Sequence, residues 1–101
     1  MKNDVELEIK DNDFLRQFET RIDGQLVKLE YSLHPRKIFL TKFVMNENLK
    51  NCGYDQKFME RVFDKLSEQK IRVVPTCPEV KRFFKANKRK YKSLLPIGIN
   101  F

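Results

Sequence analysis

Apolar and polar residues alternate near the start of the chain, with Val5, Leu7 and Ile9 set against Glu6, Glu8 and Lys10. A period of two predicts a half-buried strand. Asp11-Asn12-Asp13 is turn chemistry. Phe14, Phe18, Thr20 and Ile22 then share one face of a second strand. Asp23-Gly24 predicts a two-residue hairpin, because both central positions of that turn need positive φ. Val27, Leu29, Tyr31 and Leu33 continue as a third strand. His34-Pro35-Arg36-Lys37 turns the chain again, and Ile38 to Met45 is a fourth strand. The first half therefore reads as an antiparallel meander.

The period then changes. From Leu49 to Leu66 the chain opens with a polar turn around Gly53, reached through Asn46-Glu47-Asn48, and continues as an amphipathic helix. Phe58, Met59, Val62, Phe63 and Leu66 fall on one helical face. A glycine turn running into a helix presents unpaired N–H groups, which makes it a candidate anion cradle. Ile71 to Val74 is a short apolar strand, ended by Pro75 and expected to be buried on both faces. Pro78 suits the first position of a helix, so a second helix is predicted from Pro78 to about Asn87. Val80, Phe83 and Phe84 form its inward face, and Asn87 is placed as a left-handed C-terminal residue. Tyr91, Leu94 and Leu95 dock a further helical turn. The order is ββββ-α-β-α, an α+β fold, with residues 1–101 as one domain.

Composition narrows the function classes. Nine Phe within 41% hydrophobic residues argue for a folded core. No apolar run approaches the ~20 residues of a membrane span. The charged start, MKNDVELEIK, lacks the apolar stretch of a signal peptide. Two cysteines without metal-type spacing are expected to be free thiols in a reducing cytoplasm. His34 is the sole histidine, so no zinc cluster is expected. It precedes a proline and is read as an exposed turn residue rather than a catalytic one.

Charge changes the picture more. The net charge is +7, yet residues 1–79 hold 14 basic and 14 acidic residues and sum to zero. From Val80 onward stand seven basic residues and no acid. That excess suits a phosphate-bearing partner or an acidic surface, or simply a solvated helix. The segment KRFFKANKRKYK also mixes basic and aromatic residues, as nucleic-acid binders do. Phe83 and Phe84 already have an inward use, which leaves Tyr91 alone to stack and makes nucleic acid the weaker reading.

Two segments carry a family resemblance: Leu49-Lys50-Asn51-Cys52-Gly53-Tyr54-Asp55, and Val73-Val74-Pro75-Thr76-Cys77-Pro78-Glu79-Val80. A meander, a glycine turn opening a helix, a short strand ending in Thr-Cys-Pro and a last helix is similar to the GNAT N-acetyltransferases. The likeness is to the short single-domain subgroup with a cysteine after the fifth strand. The resemblance implies a fold in which strands four and five splay around acetyl-CoA as co-substrate. It implies that Val44 and Met45 hold the pantetheine arm. Lys50, Asn51, Cys52, Gly53, Tyr54 and Asp55 would then hold the pyrophosphate.

In that family the turn reads Gln/Arg-x-x-Gly-x-Gly/Ala, so Lys50, Gly53 and Asp55 stand at its three marked positions. Only Gly53 matches fully. Lys50 keeps the charge but not the planar donor geometry. A carboxylate at Asp55 facing the pyrophosphate would be opposed by about 4 kcal/mol per like-charge pair at ~4 Å and an effective dielectric near 20. The subgroup's His-Thr late in strand four is replaced here by Lys42-Phe43.

Cys77 has two readings. As the candidate catalytic residue, it is a thiol at a helix start, where unpaired N–H groups favour a thiolate, placed to face the acyl group. Alternatively it is a small apolar residue filling the core. Phe83 and Phe84 are read as core rather than substrate wall. The expected activity is acetyl transfer to an unidentified small-molecule or protein amine, by a monomer or weak dimer without a metal or membrane anchor. The alternative is a weakened GNAT-like module that binds nucleic acid or an acidic partner through its basic end.

Overall fold

The computed structural model describes residues 7–94. The meander is β1 (Lys10–Asn12), β2 (Gln17–Ile22), β3 (Gln25–His34) and β4 (Lys37–Val44). The chain then forms α1 (Glu47–Asn51), α2 (Tyr54–Gln69), β5 (Arg72–Pro75), α3 (Pro78–Ala86) and α4 (Lys88–Tyr91), with a 3-10 turn at Lys92–Leu94. The strands line up in sequence order, antiparallel except for the parallel pair β4–β5. The hairpin between β2 and β3 forms as its sequence requires, with Asp23 at φ 52° and Gly24 at φ 77°.

One sheet face carries Phe18, Val27, Leu29, Ile38, Leu40, Phe43 and Val73, all buried. The helices cover that face. Phe58 of α2 sits 5.7 Å, ring to ring, from Phe43 of β4. Phe63 meets Phe83, Phe84 and Tyr91 edge-on, at 5.1, 5.6 and 5.1 Å. Such pairs contribute about 0.5–1.5 kcal/mol each beyond the area they bury. The five apolar positions of α2 are all buried, as their spacing predicts. The opposite sheet face bears Lys28, Glu30, Ser32 and Lys42, and none of them is buried.

Several expectations are corrected. Residues 7–9 precede the sheet without forming a strand, although Leu7 is buried and Ile9 packs on the core; Val5 and Leu95 lie outside the described residues. Asp11 and Asn12 belong to β1, paired with Phe18 and Gln17, and the turn falls at residues 13–16 instead. Phe14 is consequently 89% exposed at its tip. Leu33 is exposed because it lies at the end of β3, beyond the cover of the helices.

Helix α1 is an addition to the predicted order. Asn46 caps it, its Oδ1 accepting the Asn48 N–H at 2.8 Å. Met45 lies past the end of β4 but remains buried. In β5 only Val73 and Pro75 are buried, since helices cover one face of the sheet and not both. Asn87 has φ −119°, not a left-handed value. It ends α3 by donating its N–H to the Phe83 and Phe84 carbonyls and its Nδ2 to Phe83 O at 2.9 Å.

The short edge strand β1 is tied down by a side chain. Tyr31, on β3, packs its ring against Phe18 at 4.9 Å with a 41° tilt and donates its hydroxyl to Asp11 Oδ1 at 2.5 Å. Burial, followed by the hydrogen bond to Asp11, pushes the Tyr31 pKa up to about 12. Tyr31→Phe is expected to cost about 2 kcal/mol, the value of a hydrogen bond to a charged acceptor. Hydrogen exchange should then rise first at Lys10–Asn12. The sign of the pH effect follows from linkage. Above pH 10.0 the unfolded tyrosine loses its proton while the folded one keeps it to about 12, so stability falls across that window. Denaturant melts at pH 9 and 11 should show wild type and Tyr31→Phe converging as pH rises.

Candidate functional site

Strands β4 and β5 run together over only four pairs, from Lys37 with Arg72 to Leu40 with Pro75. There they part. Leu40 O accepts the Thr76 N–H at 3.1 Å, the Cys77 N–H at 3.3 Å and the Thr76 hydroxyl at 3.0 Å. On the other side of β4, Glu30 pairs with Lys42 and Tyr31 with Leu40, which leaves Thr41 as the extra residue of a bulge. Thr41 Oγ1 donates to Glu30 O at 3.1 Å. From Thr41 to Val44, β4 therefore has a strand on one side only.

The chain leaves β4 through Met45 and Asn46 into α1, and then through Cys52 and Gly53 into α2. Gly53 has φ 83°, a left-handed value that glycine adopts without strain. It gives α2 no side-chain cap, and a Cβ built on it would meet nothing within 4 Å. The first N–H groups of a helix have no carbonyl of that helix to bond. One of them is served locally, because Asp55 Oδ1 accepts the Gln56 N–H at 2.9 Å.

A groove of about 450 Å³ lies against this helix start. Glu47 and Lys50 line it from α1, Asp55, Gln56 and Met59 from α2, and Glu79, Arg82, Phe83 and Ala86 from α3. Phe43 of β4 forms part of its floor. Lys50 Nζ crosses the groove to Glu79 Oε2 at 2.8 Å and lies 5.8 Å over the Phe43 ring. The hydrogen bond to Glu79 holds the Lys50 pKa above its ordinary value, against the opposing effect of burial. The charge of Lys50 is thus already answered by Glu79.

Cys77 sits at the parting of the strands, as the N-cap of α3 with its side chain 6% exposed. Its Sγ is 3.9 Å from Glu79 Oε1. Glu79 therefore stands between the thiol and Lys50. Sequence order alone does not bring Lys50 and Glu79 together, since they are 29 residues apart and on different helices.

The residues singled out from sequence fall into two groups. Lys50 and Asp55 line the groove, and Gly53 and Tyr54 form the turn and helix start beside it. Asn51 and Cys52 are exposed at the end of α1, and Val44 is 37% exposed at the end of β4. Glu47, Gln56, Glu79 and Arg82 join the site only in the structure. Glu79 stands within the second motif segment, and Glu47, Gln56 and Arg82 lie close to one or other segment in sequence.

His34 is exposed at the end of β3, its Nε2 3.1 Å from Ser32 Oγ. It lies at the opposite end of β4 from this groove, beside Lys37. Among the described residues no cluster of His, Cys, Asp or Glu is arranged to hold a metal ion, and no helix is long and apolar enough to cross a membrane. Both cysteines are free thiols.

The sequence profile of the GCN5-related N-acetyl-transferases matches residues 17–94, from the start of β2 to the last helical turn. No curated protein matches the chain at a significant level. The matched span contains the parted strands, the Gly53 turn, the groove and Cys77, and the mixed five-stranded sheet agrees with that fold. The chain belongs to the GCN5-related N-acetyltransferase family, a family of acetyltransferases.

Proposed function

We propose that the chain transfers acetyl groups from acetyl-CoA to an amine, with the co-substrate seated between β4 and the groove. The observation that carries this reading is the turn at Gly53. It combines a left-handed glycine, open space where a side chain would stand and an uncapped helix start, beside the one-sided part of β4. This is the geometry that receives a phosphate. The residues fit acetyl-CoA in shape: the free side of Thr41–Val44 for the pantetheine arm and the α2 start for the pyrophosphate. Met45 is buried, so its share in that arm is its backbone.

Acetyl-CoA supplies an activated thioester, and the protein's part is positioning and charge management. The backbone of β4 past Leu40 fixes the arm. Tyr54 and Asp55, at the uncapped start of α2, offer N–H groups to phosphate oxygens, whereas the Gly53 N–H is held by Lys50 O at 2.9 Å. Cys77, at the head of the splay, faces the acyl end, and Glu79 Oε1 takes its S–H. Asp55 is half-buried on the groove wall and works against a bound phosphate.

Titration with acetyl-CoA should show binding to the native chain. Gly53→Glu should remove it by placing a carboxylate in the cradle. Gly53→Asn, whose residue tolerates the left-handed region, serves as the control for backbone strain. Asp55→Asn keeps an acceptor for the Gln56 N–H but removes the repulsion, and should tighten binding by about tenfold, or ~1.4 kcal/mol. Unchanged affinity in both Gly53→Glu and Asp55→Asn would exclude the turn from the site.

Cys77→Ala separates the two roles of that residue. A thiol facing the acyl group predicts transfer reduced by about a hundredfold in protein that still binds acetyl-CoA. A pure core residue predicts a stability loss of about 1 kcal/mol with full transfer by the folded fraction. We expect the first outcome, read as initial rates beside a thermal melt.

A further inference from the structure

Beyond the groove at the α2 start lies a second one, of about 590 Å³, lined by residues 85–90 and Lys92. The two grooves share Ala86, the last residue of α3. Their charges differ. The first is walled by Lys50 and Arg82 against Glu47, Asp55 and Glu79. The second is walled by Lys85, Lys88, Arg89, Lys90 and Lys92, with no carboxylate among its described lining residues. Lys90 lies 3.8 Å from Asp64 Oδ1 and 5.2 Å over the Tyr91 ring.

A cation near a helix C-terminus has an ordinary use in answering the helix dipole. Lys85 alone serves the last turn of α3, and Asn87 already bonds the Phe83 and Phe84 carbonyls. Helix α4 has four residues, three of them basic. Clustered like charges repel and destabilise the free protein. A bound polyanion reverses that cost.

The placement selects the polyanion. Helix α3 starts directly after Cys77, where the strands part, and runs about 12 Å from Pro78 to Ala86 at 1.5 Å per residue. Because the two grooves adjoin at Ala86, a CoA molecule with its pyrophosphate in the first would have the second beside it for its nucleotide end. That end carries the 3′-phosphate. The first groove, with one more carboxylate than cations, cannot neutralise the phosphates by itself.

Resting on the acetyl-CoA reading above, we infer that the Lys85–Lys92 face is a subsite for the 3′-phosphate of the nucleotide. The protein thereby distinguishes CoA from dephospho-CoA. Lys85, Arg89 and Lys92 supply the charge, and the acidic first groove makes that supply necessary.

The test is calorimetric titration of CoA and dephospho-CoA into the native chain and into Lys85→Gln/Arg89→Gln/Lys92→Gln. The native chain should bind CoA about tenfold more tightly than dephospho-CoA. In the triple variant that ratio should fall towards one while dephospho-CoA affinity holds, which also reports that the variant is folded. Raising ionic strength from about 0.02 to about 0.5 M should shrink the native ratio in the same way. Equal native affinities, or a triple variant weakened alike for both nucleotides, would overturn the subsite and leave the acetyl-CoA reading standing. Failure of the native chain to bind either nucleotide sinks that reading, and the subsite with it. A single-stranded oligonucleotide held more tightly than CoA at physiological salt would reassign the face to nucleic acid.

Discussion

Three donors converge on one carbonyl oxygen, that of Leu40, and much of the molecule depends on where they place the chain. Two are successive backbone N–H groups, from Thr76 and Cys77, and the third is the Thr76 hydroxyl. A strand that continued beside β4 would bring its next N–H to a residue further along. Here two consecutive N–H groups spend themselves on a single acceptor, and β5 can advance no further. Pro78 then has no N–H to offer and a φ already suited to a helix. The chain turns off the sheet as α3 while β4 runs on. On its other side β4 bulges at Thr41, which bends the strand and increases its local twist. The opening between the strands is therefore built into the backbone and does not rely on a bulky side chain to hold it apart.

What keeps the opening in place is the layer of helices. Phe63 of α2 touches three rings, from Phe83, Phe84 and Tyr91, so α2, α3 and α4 share one aromatic cluster. Tyr91 adds a polar anchor, donating its hydroxyl to Asp64 of α2 at 3.0 Å. Burial first, then that carboxylate, raises its pKa, so the bond persists across the ordinary pH range. Helix α1 is held differently. Its link to α3 is the Lys50–Glu79 ion pair, with both side chains more than a quarter exposed. Such a pair contributes about 0.2–1 kcal/mol. The two walls of the groove are thus joined by a weak electrostatic contact over a strong apolar base. A competing anion needs to overcome only the weak part.

Much of this was legible in the sequence, for identifiable reasons. The amphipathic period from Phe58 to Leu66 and the Asp23-Gly24 turn depend on neighbours a few residues away, and both form as read. The same holds for Pro78 at the start of α3. The errors arise where a tertiary contact outweighs local pattern. Asp11 and Asn12 look like turn residues, yet Tyr31 from two strands away holds Asp11 in β1. Helix α1 did leave a trace, Asn46 followed by Glu47 and a buried Leu49, but five residues fall below what periodicity can show. The bulge also left one: Thr41-Lys42 are two polar residues in succession within β4, so that buried positions run 38, 40, 43 and not every second residue. The Lys50–Glu79 pair left none, because only the packing of α1 against α3 creates it.

Charge is where fold and chemistry meet. The first 79 residues are electrically balanced, and the whole excess of +7 lies beyond them. In the groove this balance is local: Glu79 answers Lys50, and Asp55 answers an N–H of α2. A cation that is already paired, as Lys50 is with Glu79, is stable without a ligand. It is correspondingly poor at attracting an anion, because an incoming phosphate must displace a bond that is already made. The segment after Ala86 has the opposite character, with many cations and the carboxylate of Asp64 beside Lys90. It attracts at a distance and costs the free protein repulsion. The open glycine turn and the excess of positive charge thus lie in different stretches of chain. The grooves beside them adjoin at Ala86.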